Sequence, residues 1–255
     1  MITYSKKNKI YIIGSCSIEN RNFYLSQADK LIPLMNGKDW YYKGSYDKAN
    51  RTSINGERGP GLDESIEIFK EIKRIYPNIK LTTDVHEVWQ VEKLAGLIDC
   101  IQIPAFLCRQ TDLLVECAKH FDVVNIKKGQ WMSPQNMIKG VDKIKETNPN
   151  AQAWITERGT QFGYTQLIVD FGAVDTLKKH FDKVILDCTH STQRLKENGR
   201  TGGDYELGIK YWKVSDTFEY DGVFAETHPN PSEATSDMDS QIPFDKMIEL
   251  MKNEK

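Results

Sequence analysis

A chain of 255 residues, 39% of them hydrophobic, can bury a sizeable core, enough for one α/β barrel or two small domains. The formal net charge is -2, with 34 Lys and Arg spread along the chain against 36 Asp and Glu. That balance leaves no basic stripe for a nucleic-acid backbone and no juxtamembrane cluster, so neither nucleic acid nor membrane is an expected partner.

The opening MITYSKKNKI runs into a short apolar stretch ending at Gly14, without the longer apolar segment and cleavage site of a secretory signal. No stretch approaches the ~18 apolar residues of a membrane span. Five cysteines, an odd number, match neither a disulfide framework nor paired zinc CxxC motifs. They read as free thiols in a reducing, cytoplasmic setting.

In chain order, short β-rich runs closed by polar residues alternate with helix-length stretches. KIYIIGSC (9–16) and WYYKGSY (40–46) come first. LDESIEIFKEIKRIYP (62–77) follows, with Leu62, Ile66, Phe69 and Ile72 on one helical stripe and Pro77 at its end. KLTTDV (80–85) leads into the helical EVWQVEKLAGL (87–97), then CIQIP (100–104) and VVNIKK (123–128). MSPQNMIKGVDKIKE (132–146) has Ser133 as N-cap and Pro134 at the first helical position. AWITER (153–158), KVILDCTH (183–190) and GVFAETH (222–228) complete the strands, and PFDKMIELMK (243–252) supplies a last helix. Strands alternating with helices imply a parallel sheet, and eight strands are the number that closes a (β/α)8 TIM barrel. With no Pro/Gly/Ser-rich linker, residues 1–255 read as one catalytic domain. A doubly wound open sheet is the competing architecture.

In such a barrel the C-terminal strand ends share one mouth, and this chain loads those ends with chemistry. Cys16 ends the first run, Lys43 and Lys48 the second, Asp84 and His86 the third, and Gln102 the fourth. Lys127 and Lys128 end the fifth, Glu157 and Arg158 the sixth, Asp187 and His190 the seventh, and Glu226 and His228 the eighth. A single strand-end Lys is ordinarily a solvated side chain. The set Lys43, Lys48, Arg51, Arg109, Lys127 and Arg158 would repel itself unless anions neutralise it, which points to phosphorylated small-molecule substrates. Cys16, His190, Glu226 and Asp237 are types that could bind a divalent transition metal. No local spacing announces that site: Cys16 could equally be a small buried residue and His190 a hydrogen-bonded core histidine.

The strings KGSYDKANRTS (43–53), RGPGL (58–62), TTDVHE (82–87), QIPAFLCRQTDLL (102–114), NIKKGQ (125–130), TERGTQFGY (156–164), CTHS (188–191) and ETHPNPSEATSD (226–237) closely resemble 3-deoxy-D-manno-octulosonate 8-phosphate synthases. The resemblance spans nearly the whole chain. It implies condensation of phosphoenolpyruvate with D-arabinose 5-phosphate. Lys43, Lys48, Gln102, Lys127 and Arg158 would hold phosphoenolpyruvate; Asn50, Arg51, Thr52 and Arg109 would hold the sugar phosphate. Lys48, His190, Glu226 and Asp237 become the catalytic candidates. It further implies a homotetramer with Arg51 reaching a neighbouring subunit's site. The family has a metal-free form with Asn in the first strand and a metal-requiring form with Cys; Cys16 points to the latter, with His190, Glu226 and Asp237 as the other ligands. The ion would be zinc, iron, manganese or cobalt.

Three departures stand out: Ser15 where the family has Pro, Gly44 where it has Ser or Ala, and QRLKENGRTGG (193–203) in place of a more apolar Leu-Pro-Gly-Gly form. A heptulosonate synthase acting on erythrose 4-phosphate is the nearest alternative, disfavoured by KANR where those enzymes carry a KPR-type string. A non-catalytic sugar-phosphate-binding barrel and a Schiff-base aldolase are more distant alternatives.

Overall fold

The computed structural model describes residues 9–51, 54–162, 165–196 and 201–254. Eight parallel strands form the wall: β1 (Ile10–Ser17), β2 (Asp39–Ser45), β3 (Lys80–Asp84), β4 (Cys100–Ile103), β5 (Val123–Lys127), β6 (Gln152–Glu157), β7 (Lys183–Asp187) and β8 (Gly222–His228). Each pairs with its sequence neighbour, and β8 also pairs with β1, from Ile10↔Gly222 to Gly14↔Glu226. That last pairing closes the sheet and excludes the open doubly wound alternative, yielding a (β/α)8 barrel.

Among the described residues eight helices cover the outside: α1 (Arg21–Met35), α2 (Leu62–Ile75), α3 (Val88–Leu94), α4 (Thr111–His120), α5 (Pro134–Thr147), α6 (Ala173–Leu177), α7 (Tyr205–Ser215) and α8 (Phe244–Asn253). Local chemistry sets their ends. Ser133 caps α5 by accepting from Asn136 N, with Pro134 at its first position. Helix α3 is shorter than the 87–97 pattern predicts: Glu87 and Gln90 form a capping box at its start, and Gly96 at φ 73 takes the left-handed conformation that ends it. The predicted strand 183–190 likewise stops at Asp187. Its carboxylate accepts from the backbone N–H of Thr189 and of His190, at 2.9 and 2.8 Å. The chain therefore turns into a short 3-10 segment, His190–Thr192.

Strand alternation sorts the barrel into layers. Ile10, Ile12, Tyr41, Cys100, Val123, Trp154, Ile185 and Phe224 make an apolar plug inside the barrel, separate from the larger core between strands and helices. Two residues further along the same strands stand Gly14, Lys43, Gln102, Asn125, Thr156, Asp187 and Glu226. The inward face thus changes from oily to polar within one step of the pleat. Gln102, Asn125 and Thr156 are joined there by side-chain hydrogen bonds of 3.3 and 2.8 Å.

Gly44 has a packing reason. A Cβ added there would lie 2.5 Å from the Tyr24 ring, which is fully buried and stacked on Tyr42 at 4.4 Å between centroids. Tyr24 therefore occupies the space that Ser or Ala would need. Gly44→Ala is expected to cost about 1–3 kcal/mol through overpacking, and less in a Tyr24→Leu background, a non-additivity that denaturant titration of the four proteins measures.

Candidate active site

At the C-terminal ends of the strands the barrel opens into a cavity of about 1630 Å³. Lys43, Lys48, Arg51, Lys127 and Arg158 all line it, together with Asn50, Gln102, His190, Glu226 and Asp237. Cys16 lies just beneath, fully buried.

The cations are organised by carboxylates of their own. Asp84 sits 3.7 Å from Lys43 Nζ and accepts from Ser45 Oγ at 2.6 Å and from Gln102 Nε2. Both Lys43 and Lys48 donate to that same Ser45 hydroxyl, at 2.5 and 3.2 Å. Burial alone would raise the Asp84 carboxyl, but Lys43, Lys48, His86 and the Ser45 hydroxyl more than reverse this and hold it well below the usual carboxylate range. Asp187 does the corresponding work opposite, bonded to Lys127 Nζ and to His190 Nδ1 at 2.9 Å. It too is held ionised against burial, by Lys127, His190 and Arg158. The expected self-repulsion is thus relieved in part by resident anions. Arg158 differs, being hydrogen-bonded by the neutral Gln193 amide at 2.6 Å, with Nη1 buried and unpartnered among the described residues.

Beside this ring lies the soft and acidic set. The ligand atoms of Cys16, Glu226 and Asp237 fall within 4.8 Å of one another, and His190 Nε2 stands 3.6 Å from Glu226 and 3.8 Å from Asp237. The pairing of His190 Nδ1 with Asp187 leaves Nε2 to face the cluster, the arrangement of carboxylate-supported metal-binding imidazoles. Glu226 Oε2 is buried with no hydrogen-bond partner among the described residues. Burial, Glu226 and Asp237 push the Cys16 thiol well up, and Cys16 Sγ lies 3.2 Å from Asp237 Oδ2. One sulfur and two carboxylates within reach of one centre, with the His190 imidazole beside the carboxylates, are donor types that fit a divalent transition ion, which would replace the thiol proton.

One sequence expectation is modified by the structure, and others lie beyond it. Arg109 does not join the mouth: the 3-10 turn Ala105–Leu107 carries the chain outward from β4, leaving Arg109 exposed in a separate cavity with Lys139 and Lys143. Arg51 lines the mouth of its own chain, its guanidinium donating to Thr235 O at 2.5 Å. Thr52 lies outside the described residues. Lys128 is fully buried and occupied, with Glu157 Oε1 at 3.5 Å and Thr160 Oγ1 at 3.0 Å. Nothing in the structure explains Ser15, whose buried hydroxyl has no partner among the described residues. Sequence reading missed roles for Gln193, which contacts Arg158 and Asp237, and for Ser236, which donates to Cys16 Sγ at 2.8 Å. The only local hint was the three-residue step from Asp187 to His190.

Fold and site together define a (β/α)8 barrel whose mouth gathers lysines and arginines beside a cluster of Cys16, His190, Glu226 and Asp237. The DAHP synthetase I family model matches residues 2–255, and the chain belongs to that family. Among its curated relatives is the 2-dehydro-3-deoxyphosphooctonate aldolase of Wolinella succinogenes, 42% identical over 246 residues that cover 91% of this chain and 93% of the relative. The protein of the same name from Helicobacter hepaticus is 42% identical, covering 95% and 94%. That from Fusobacterium nucleatum is 39% identical, covering 97% and 89%.

Asp84 yields a pH prediction. Because its folded pKa is depressed, its stabilisation is fully present above the unfolded value of about 3.9 and is lost as pH falls below it. Asp84→Asn should therefore be less stable than the unaltered protein at neutral pH, and the gap in denaturation midpoint should narrow as pH is lowered from 5 towards about 3.

Proposed function

We propose that this protein is a synthase that joins phosphoenolpyruvate to D-arabinose 5-phosphate and water, giving 3-deoxy-D-manno-octulosonate 8-phosphate and inorganic phosphate. The observation that carries this reading is the convergence of Lys43, Lys48, Arg51, Lys127 and Arg158 on one cavity beside the Cys16, Glu226 and Asp237 cluster. The names of the relatives agree with it.

In this reading Lys43, Lys48, Gln102, Lys127 and Arg158 hold the carboxylate and phosphate of phosphoenolpyruvate, while Asn50, Arg51 and Thr52 hold the sugar phosphate. Their fixed charges offset the repulsion between two anions before they meet. C3 of phosphoenolpyruvate then attacks the aldehyde carbon, water adds at C2, and phosphate leaves the resulting hemiketal as the C2 ketone forms. Glu226 and Asp237 steady positive charge at C2 and serve as proton acceptors for the entering water. Lys48 remains charged beside them: burial opposes this, but Cys16, Glu226, Asp84 and Asp237 outweigh it. Cys16, His190, Glu226 and Asp237 would hold a zinc, iron, manganese or cobalt ion, which would supply Lewis acidity toward the aldehyde.

Arg109, exposed and outside the mouth of its own chain, reaches a sugar phosphate only from another copy. This is in keeping with an assembly of several copies, of which the homotetramer is the form the resemblance implies. Among the described residues no helix is long and apolar enough to cross a membrane. The cysteines are all free and buried, in keeping with a reducing cytoplasmic setting.

Two outcomes test the proposal. Phosphate release from phosphoenolpyruvate is expected only when an aldose phosphate is present, with arabinose 5-phosphate turned over in preference to erythrose 4-phosphate; aldose-independent release, or the opposite preference, counts against it. Removing divalent ions with a chelator should lower activity by at least about 100-fold, with recovery on adding Co²⁺, and Cys16→Ser should retain less metal after dialysis. Full activity in the stripped, unaltered protein would remove the ion from the reaction.

A further inference from the structure

We infer that Gln193 is a positioning residue that couples the two halves of the site, holding Arg158 in place for the phosphoenolpyruvate anion and Asp237 in place for the metal ion. The inference rests on the reading above of what Arg158 and Asp237 bind. Arg158 Nη2 donates to Gln193 Oε1 at 2.6 Å, and Gln193 Nε2 donates to Asp237 Oδ1 at 3.2 Å. A guanidinium only donates and a carboxylate only accepts, so the amide has one workable orientation; turned over, it loses both bonds. Its backbone is fixed as well, with Gln193 N donating to His190 O at 3.2 Å and Gln193 O accepting from Leu167 N at 3.0 Å.

The neutrality of this bridge sets it apart. Lys43 and Lys127 are paired with Asp84 and Asp187, whereas Arg158 is held by an amide that orients the guanidinium without cancelling its charge. The amide itself takes none of that charge from an incoming anion, and the carboxylate influence on Arg158 comes from groups such as Asp187 that are not hydrogen-bonded to it among the described residues. On its other side the same amide restrains Asp237 without bringing a positive charge toward a bound cation. Glu at this position would neutralise Arg158, Lys would repel an ion, and Asn is one methylene shorter. A side chain that both donates and accepts, carries no charge and has the length of glutamine meets every demand.

The test measures two binding events separately: phosphoenolpyruvate with metal-stripped protein by calorimetry, and Co²⁺ alone by competition with a chelator. Gln193→Met, close in volume and without the amide, should weaken both by about tenfold, with KM for the aldose within about twofold of the original. Gln193→Glu should weaken phosphoenolpyruvate at least as much but leave Co²⁺ binding undiminished, a split that general loosening of the loop would not produce. If Gln193→Met folds and leaves either affinity unchanged, the inference is overturned; if it fails to fold, the split in Gln193→Glu decides. Arg158→Ala and Asp237→Ala serve as controls. Should either bind its ligand as the unaltered protein does, the reading of the site fails and the inference falls with it. Should both lose binding while Gln193→Met does not, the inference alone fails.

Discussion

The pairing of β8 with β1 is the contact on which the rest of the structure depends, because Gly14 opposite Glu226 closes the barrel and brings the first and last strands together. Cys16 stands two residues beyond Gly14 and so falls beside Glu226, although 210 positions separate them in the chain. The loop after β8 then delivers Asp237, and the turn after β7 delivers His190. None of these side chains forms a cluster with its sequence neighbours. Closure of a parallel sheet in one register brings these side chains together.

A second constraint is the burial of charge. Several ionised groups under a low-dielectric rim would cost several kcal/mol each if left unpaired. The barrel meets this with Asp84 and Asp187, each paired with a lysine and bonded to further polar groups. These two carboxylates hold the cations in place before any substrate arrives, which is how a site lowers the reorganisation needed during reaction. The apolar plug below, which includes Tyr41, Trp154 and Phe224, fills the barrel beneath the mouth. The polar mouth and the oily plug are successive steps of one strand pattern.

Departures from the family strings are absorbed unequally. Gly44 is matched by the Tyr24 ring, so its change is local packing at the back of the strand that carries Lys43. In the segment that begins at Gln193, an antiparallel pairing joins Arg194–Leu195 to Thr201–Gly202, and Gln193 itself faces the site. Arg194, Lys196, Thr201 and Gly203 line the same cavity, so the polar composition of this segment reaches the mouth at more than its first residue.

Strand and helix alternation was legible in the sequence because the inward period of two and the helical stripe of α2 survive in any one-dimensional reading. Strand-end residues such as Lys43, Gln102 and Glu226 could be named because a strand holds its residues in a straight line whose end is visible in the string. What the sequence could not decide was direction after the strand stops. Arg109 and Arg51 both follow strand ends, yet one is carried outward by a 3-10 turn and the other lies across the mouth. Lys127 and Lys128 are adjacent, yet the pleat turns one to the cavity and the other to Glu157 behind it. Sequence thus determined the layers and the kinds of charge available, because those follow from local periodicity. Only tertiary structure decided which charges meet, because loop paths and the closing register depend on contacts between segments far apart in the chain.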